Sequence, residues 1–132
     1  MKTVLFVCEH GSAKSVVAAA HFNRLAAQRG LDFQAVSCGT DPDEVNHPAA
    51  VEGLHADRLE PQATPHLLSA GDLQSAARVI SFSDLPDRYS VATSIQVWTV
   101  PAVSEDYATS RDAILDRVAR LIEDLGCGGA PG

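Results

Sequence analysis

Cys8 stands directly behind an unbroken apolar run, Val4-Leu5-Phe6-Val7, and directly before Glu9, His10, Gly11, Ser12, Ala13 and Lys14. Ser15 then opens an alanine-rich stretch. A strand, a short loop and a helix start in this order make an anion site, because the amides of the loop and first helical turn lack intrahelical acceptors and converge. Lys14 adds a positive charge where a cation opposes the helix dipole, which argues for an anion beside it. A thiol facing such a cradle is expected to ionise readily, and the thiolate is the reactive form. The chemistry this predicts is attack by Cys8 on a bound tetrahedral oxyanion. The loop amides and Lys14 hold the charge that develops, and Ser15 hydrogen-bonds the sulfur. A carboxylic acid is needed to protonate the leaving oxygen and then activate water. Glu105 and Asp106 are the candidates, from an acidic loop expected on the same side of the molecule.

Plainer readings exist for each of these residues. A cysteine at a strand end is commonly a small core residue. Glu105 and Asp106 can be ordinary acidic residues before a helix. His10 can tune the anion or simply face solvent. His21, His47, His55 and His66 show no metal-ligand spacing, and Cys38 and Cys127 read as bystanders. The three cysteines form neither a CxxC motif nor an even set, so neither a disulfide framework nor a zinc site is indicated. No metal and no cofactor are expected.

The elements that must position Cys8 alternate between strand and helix patterns. A helix is predicted from Ser15 to Arg29, with Val17, Ala18, His21, Phe22 and Leu25 on one face and Gly30 just past its end. Phe33 to Ser37 reads as a second strand and Cys38 to Asn46 as a loop. His47-Pro48 starts a short helix through His55. Leu59 to Pro65 is irregular, with Leu67 and Leu68 anchoring it to the core. Ser69 to Ala76 is a short helix, Ala77 to Phe82 a third strand and Ser83 to Thr93 a surface loop. Ile95 to Val100 gives a fourth strand. A last helix starts at Ser110 as N-cap and stops at Gly126, with Ile114, Leu115, Val118, Leu121, Ile122 and Leu125 at helical spacing. The tail beyond Gly126 is expected to fray. This is an α/β pattern: a parallel sheet with helices on both faces, and ligands beyond the carboxyl ends of the strands.

At 132 residues the chain reads as one domain, residues 1–132. The apolar share of 45% is ordinary for a globular protein, and no stretch is long and apolar enough to span a membrane. Met1-Lys2 runs straight into a core strand, so no signal peptide is read and the cytoplasm is expected. The net charge of −7 disfavours nucleic acid or an anionic membrane as partner.

The strand followed by Cys8-x5-Lys14-Ser15 and an alanine-rich helix resembles the low-molecular-weight protein tyrosine phosphatases and the related thioredoxin-coupled arsenate reductases. Ser37-Cys38-Gly39-Thr40 is similar to the Ser-Ala-Gly-Thr after that family's second strand. The resemblance implies a three-layer fold with a four-stranded parallel sheet. It also implies a phosphate-binding loop from Glu9 to Ser15, and a phosphorylated protein or small aryl phosphate as substrate. Several positions depart from the family. Lys14 stands where the family has arginine and loses the planar fork that grips two oxygens. Gly11 replaces the loop asparagine, and Ala13 the phosphatases' second loop cysteine. The Asp-Pro acid pair is missing from the aligned Val100-Pro101-Ala102-Val103-Ser104-Glu105-Asp106, and Tyr107 alone follows. The redox cysteines of the reductases have no counterpart near Phe82 to Tyr89. Three alternatives therefore stand beside a phosphatase. They are a single-cysteine arsenate reductase drawing on a low-molecular-weight thiol, a non-catalytic oxyanion-binding module, and, on Ala13-Lys14-Ser15, a nucleotide P-loop lacking its glycines.

Overall fold

The computed structural model describes residues 1–62, 64–85, 89 and 95–128, without the side chains of Cys127 and Gly128. The apolar run behind Cys8 forms the central strand β1 (Lys2–Cys8), whose Val4, Leu5, Phe6 and Val7 are all buried. Such a run suits a strand covered on both faces. It pairs in parallel with β2 (Phe33–Gly39) on one side and β3 (Arg78–Ser81) on the other. β4 (Ile95–Val97) extends the sheet beyond β3, giving the order β2-β1-β3-β4, all parallel.

Strand periodicity sends alternate residues to opposite faces. Val4 and Phe6 join a core with the long helices α1 (Lys14–Gln28) and α4 (Tyr107–Gly128) and with Ala50 and Leu54 of α2 (Pro48–Ala56). Phe6, Phe22, Phe82 and Trp98 form a ring cluster there, with centroids 5.6–6.4 Å apart. Leu5 and Val7 face the other way, against Cys38, Leu68, Val79 and Leu73 of α3 (Ala70–Ser75). Ser69 and Asp72 form a reciprocal capping box on α3. A polar network ties α1, α2 and α4. Tyr107 and Arg111 both donate to the Asp57 carboxylate, at 2.7 and 3.0 Å. Arg24 donates to the Asp57 carbonyl, and the buried His21 lies 3.6 Å from Asp57 Oδ2.

Several boundaries differ from the sequence reading. β2 runs through Cys38 to Gly39, because Cys8 and Gly39 are partners in the ladder and that pairing lies in the tertiary structure alone. α1 starts at Lys14, with Arg29 as C-cap and Gly30 left-handed at φ +64. Leu68 is buried, but Leu67 is 56% exposed and contributes only a backbone bridge to Gly39. Ser110 is not a cap: it is fully buried within α4, which begins at Tyr107 and passes through Gly126 to Gly128. Asp106 performs the capping instead, accepting from the Ala108 amide and the Thr109 hydroxyl. Most of the expected loop from Ser83 to Thr93, and the tail past Gly128, lie outside the described residues.

Candidate active site

β1 ends at Cys8 and α1 begins at Lys14, so the five residues between them form a loop at the carboxyl edge of the sheet. Its shape follows from where its carbonyls go. Glu9, His10 and Ser12 each offer their carbonyl to an amide of the next segment, those of Asp41, Asp43 and His47, at 2.8, 3.0 and 2.9 Å. With the carbonyls turned outward, the amides turn the other way. Among the hydrogen bonds of the described residues, none is donated by the amides of Glu9 to Ala13. Gly11 makes the turn at φ +60, and a β-carbon there would stand 2.8 Å from the Gly39 nitrogen. One on Gly39 would stand 2.7 Å from the Gly11 nitrogen. Both positions need glycine, since two backbones meet there.

Cys8 shares the sheet face of Val4 and Phe6 and turns toward α1. Its Sγ lies 2.9 Å from Ser15 Oγ, and the buried Ser37 hydroxyl donates to Ser15 Oγ at 2.7 Å. With its own acceptor occupied by that donor, the Ser15 hydroxyl is left to donate to the sulfur. The sulfur is therefore held from below by a buried hydroxyl relay and remains partly open above. The opening is a cavity of ≈ 320 Å³. Cys8, Glu9, His10, Ser12, Ala13 and Lys14 supply one side of it. Phe82 and Ser83 after β3, and Ala102, Val103 and Ser104 after β4, supply the walls.

Gly11 and Ser15 lie buried beneath this opening rather than on it. Glu105 and Asp106 do not line it, and Asp106 is engaged at the α4 start. The Thr109 hydroxyl bond holds the Asp106 carboxyl below the usual carboxylate range. No carboxylate comes from the Ala102–Ser104 wall. The chain instead brings in two residues that the sequence places in a loop and at a helix start, Asp43 and His47. Asp43 Oδ2 accepts from the buried Ser12 hydroxyl at 2.7 Å, and its Oδ1 is 3.5 Å from His10 Nδ1. His47 caps α2, its Nδ1 accepting from the Ala49 amide at 3.1 Å. That bond leaves Nε2 to carry the ring proton. Nothing local in the sequence marks Asp43, because its place depends on how the segment after β2 folds back over the loop.

Comparison with known proteins agrees with this fold. The sequence profile of the family described as low molecular weight phosphotyrosine protein phosphatase matches residues 3–88. No curated protein matches. Among solved structures, the chain is similar to a low molecular weight protein tyrosine phosphatase from T. tengcongensis, with 24% identity and a TM-score of 0.82 over 94% of this chain and 99% of that one. It is similar to an arsenate reductase from Archaeoglobus fulgidus, with 25% identity and a TM-score of 0.74 over 91% and 98%. It is also similar to the Bacillus subtilis YwlE protein in a mutant form, with 22% identity and a TM-score of 0.64 over 95% and 94%.

Proposed function

The chain belongs to the low molecular weight phosphotyrosine protein phosphatase family, and on that premise we propose that it is a phosphomonoesterase hydrolysing phosphotyrosine or small aryl phosphates through a Cys8 thiophosphate. One observation carries this reading: the Cys8 sulfur, supported by the Ser15–Ser37 relay, opens into a cavity lined by Lys14 and by loop residues whose amides donate to no acceptor among the described residues. A phosphate seated there gives three oxygens to the amides and the ammonium, and presents phosphorus to the sulfur. The S–P bond forms as the bond to the leaving oxygen breaks, and that oxygen takes a proton. Asp43 is the carboxyl group we assign to that transfer, because it lines the cavity and is fixed by Ser12, whereas Glu9 has 69% of its side chain exposed. Water then attacks the thiophosphate, returning the proton to Asp43 and releasing inorganic phosphate. Phe82 and Val103 give an aryl group apolar walls. The reaction needs a reduced thiol, so we place it in the cytoplasm, with residues 1–132 acting as one domain.

A second reading has its own support in the Ala102–Ser104 wall, which offers no acid. Reduction of arsenate needs the sulfur and the cradle but little leaving-group acid. Cys8 would displace a hydroxyl from arsenic, and an external low-molecular-weight thiol would attack the sulfur. A disulfide then forms as arsenic(V) leaves as arsenite. The other cysteine whose side chain is described, Cys38, is fully buried and does not supply the second thiol, so the reading draws on an external one.

The deciding experiment measures 4-nitrophenyl phosphate hydrolysis and glutathione-dependent arsenate reduction side by side, across the range from carboxylate to imidazole titration. Hydrolysis that Cys8→Ser abolishes supports the phosphatase. Arsenate reduction alone transfers the assignment to the reductase. Phosphate binding without either turnover leaves an oxyanion-sensing module.

A further inference from the structure

The strand that sends Ser37 toward Cys8 sends its neighbour Cys38 to the other face of the sheet. There Cys38 packs with Leu5, Val7, Leu68 and Leu73 and is fully buried. Its sulfur is not enclosed by hydrocarbon alone. His66, from the segment before α3, and Asp72, from the first turn of α3, bring a ring nitrogen and a carboxylate oxygen to it. The three atoms lie within 4.8 Å of one another.

We propose that Cys38 Sγ, a His66 ring nitrogen and a carboxylate oxygen of Asp72 form a binding site for one divalent cation of the zinc class, on the sheet face opposite Cys8. The donor set selects the metal. Thiolate and imidazole suit zinc and its neighbours, whereas calcium and magnesium take oxygen ligands. Three protein ligands leave a fourth tetrahedral position for water. The backbones of the ligands are already held. The Gly39 amide donates to the His66 carbonyl at 2.8 Å, and the Asp72 amide donates to the Ser69 hydroxyl at 3.1 Å. A tetrahedral ion separates sulfur and nitrogen ligands by about 3.5 Å, so closure needs a contraction of at most about an ångström. The side chains that must move are the accessible ones, His66 at 51% and Asp72 at 29% exposure. An exposed His66–Asp72 pair, 3.2 Å apart, accounts for two of the groups but not for a buried sulfur beside them. On binding, the Cys38 thiol gives its proton to solvent as the S–metal bond forms, so affinity falls as pH is lowered. The proposal does not rest on the reaction at Cys8.

The test titrates metal-free full-length protein with cobalt(II) at neutral pH, then displaces the cobalt with zinc. The expected result is one equivalent bound, with the thiolate-to-cobalt charge-transfer band and the visible bands of a tetrahedral centre. Cys38→Ala should remove the charge-transfer band. His66→Gln, at a half-exposed position, should weaken binding at least tenfold with an unchanged circular dichroism spectrum. Cys8→Ser and Cys127→Ser should leave both band and affinity as they are. The proposal is overturned if no band appears, if it survives Cys38→Ala, if it requires Cys8 or Cys127, or if His66→Gln binds as tightly as the parent. Should Cys38→Ala fail to fold, the His66→Gln affinity and the two other cysteine variants decide it.

Discussion

A lysine, not an arginine, lines this cavity, and that limits the grip it can offer a bound oxyanion. Lys14 presents a compact ammonium where a guanidinium would grip two oxygens at once. Among the described residues no carboxylate lies within ion-pair distance of it, so its charge is available to a ligand. Lys14→Arg is therefore expected to raise kcat/KM for aryl phosphate by about tenfold, the value of one added charged hydrogen bond. Steady-state kinetics check this, and an unchanged rate would mean the cradle serves something other than phosphoryl transfer. Cys8→Ser should lower kcat at least about a thousandfold, since it removes the proposed nucleophile. Inorganic phosphate should still bind that variant. Asp43→Asn is expected to lower kcat about a hundredfold for alkyl phosphates and less for aryl phosphates, whose leaving oxygen needs less help. Equal losses across leaving groups would remove Asp43 from the proton transfer.

The cradle is an element-scale object, because its shape is dictated by the segment that folds over it. The Asp41, Asp43 and His47 amides hold the loop carbonyls outward, and the Gly11–Gly39 contact fixes how closely the loop sits on β2. Gly39→Ala places a methyl group against the Gly11 backbone, which cannot give way as a side-chain tip can. It should cost about 1–3 kcal/mol of stability by urea denaturation and weaken phosphate binding as well. Loss of stability with phosphate affinity intact would show that the loop adapts independently of β2. The glycine at position 39 was legible in the sequence through the Ser-Cys-Gly-Thr pattern. The place of Asp43 at the cavity was not, since no periodicity or motif places a residue that is positioned by a fold-back.

At the scale of the whole molecule, α1, α2 and α4 meet at a buried polar junction that links packing to pH. Burial, then the neighbouring Arg24, lowers the His21 pKa from 6.5 to about 4, against a partial opposing pull from Asp57. Arg111 adds to the lowering. Between those two values the unfolded chain takes up a proton that the folded chain refuses, so stability falls as pH drops. By pH 4 the loss from this one imidazole is about 3 kcal/mol. Urea midpoints measured from pH 7 to pH 4 should fall accordingly, and His21→Gln should flatten the slope. A parallel decline in that variant would assign the effect to other groups. The same junction anchors the start of α4, and the Ala102–Ser104 wall of the cavity immediately precedes that helix.

The sequence by itself determined the fold class, the central strand and the loop between that strand and the first helix, in which the proposed nucleophile and anion site lie. Each is local: an apolar run, a cysteine at its end, small residues, then a helix start, all within Val4 to Ser15. The family's chemistry was legible there for the same reason. Only the tertiary structure decided which residues meet the loop from elsewhere. Asp43 and His47 reach the cavity through backbone pairing, and Asp106 caps a helix that begins earlier than its spacing indicated. It also decided that Ser37 and Cys38, adjacent in the chain, serve opposite faces of the sheet. The alternation of a strand fixes that two neighbours diverge, but what waits on each side depends on helices and loops far away in sequence.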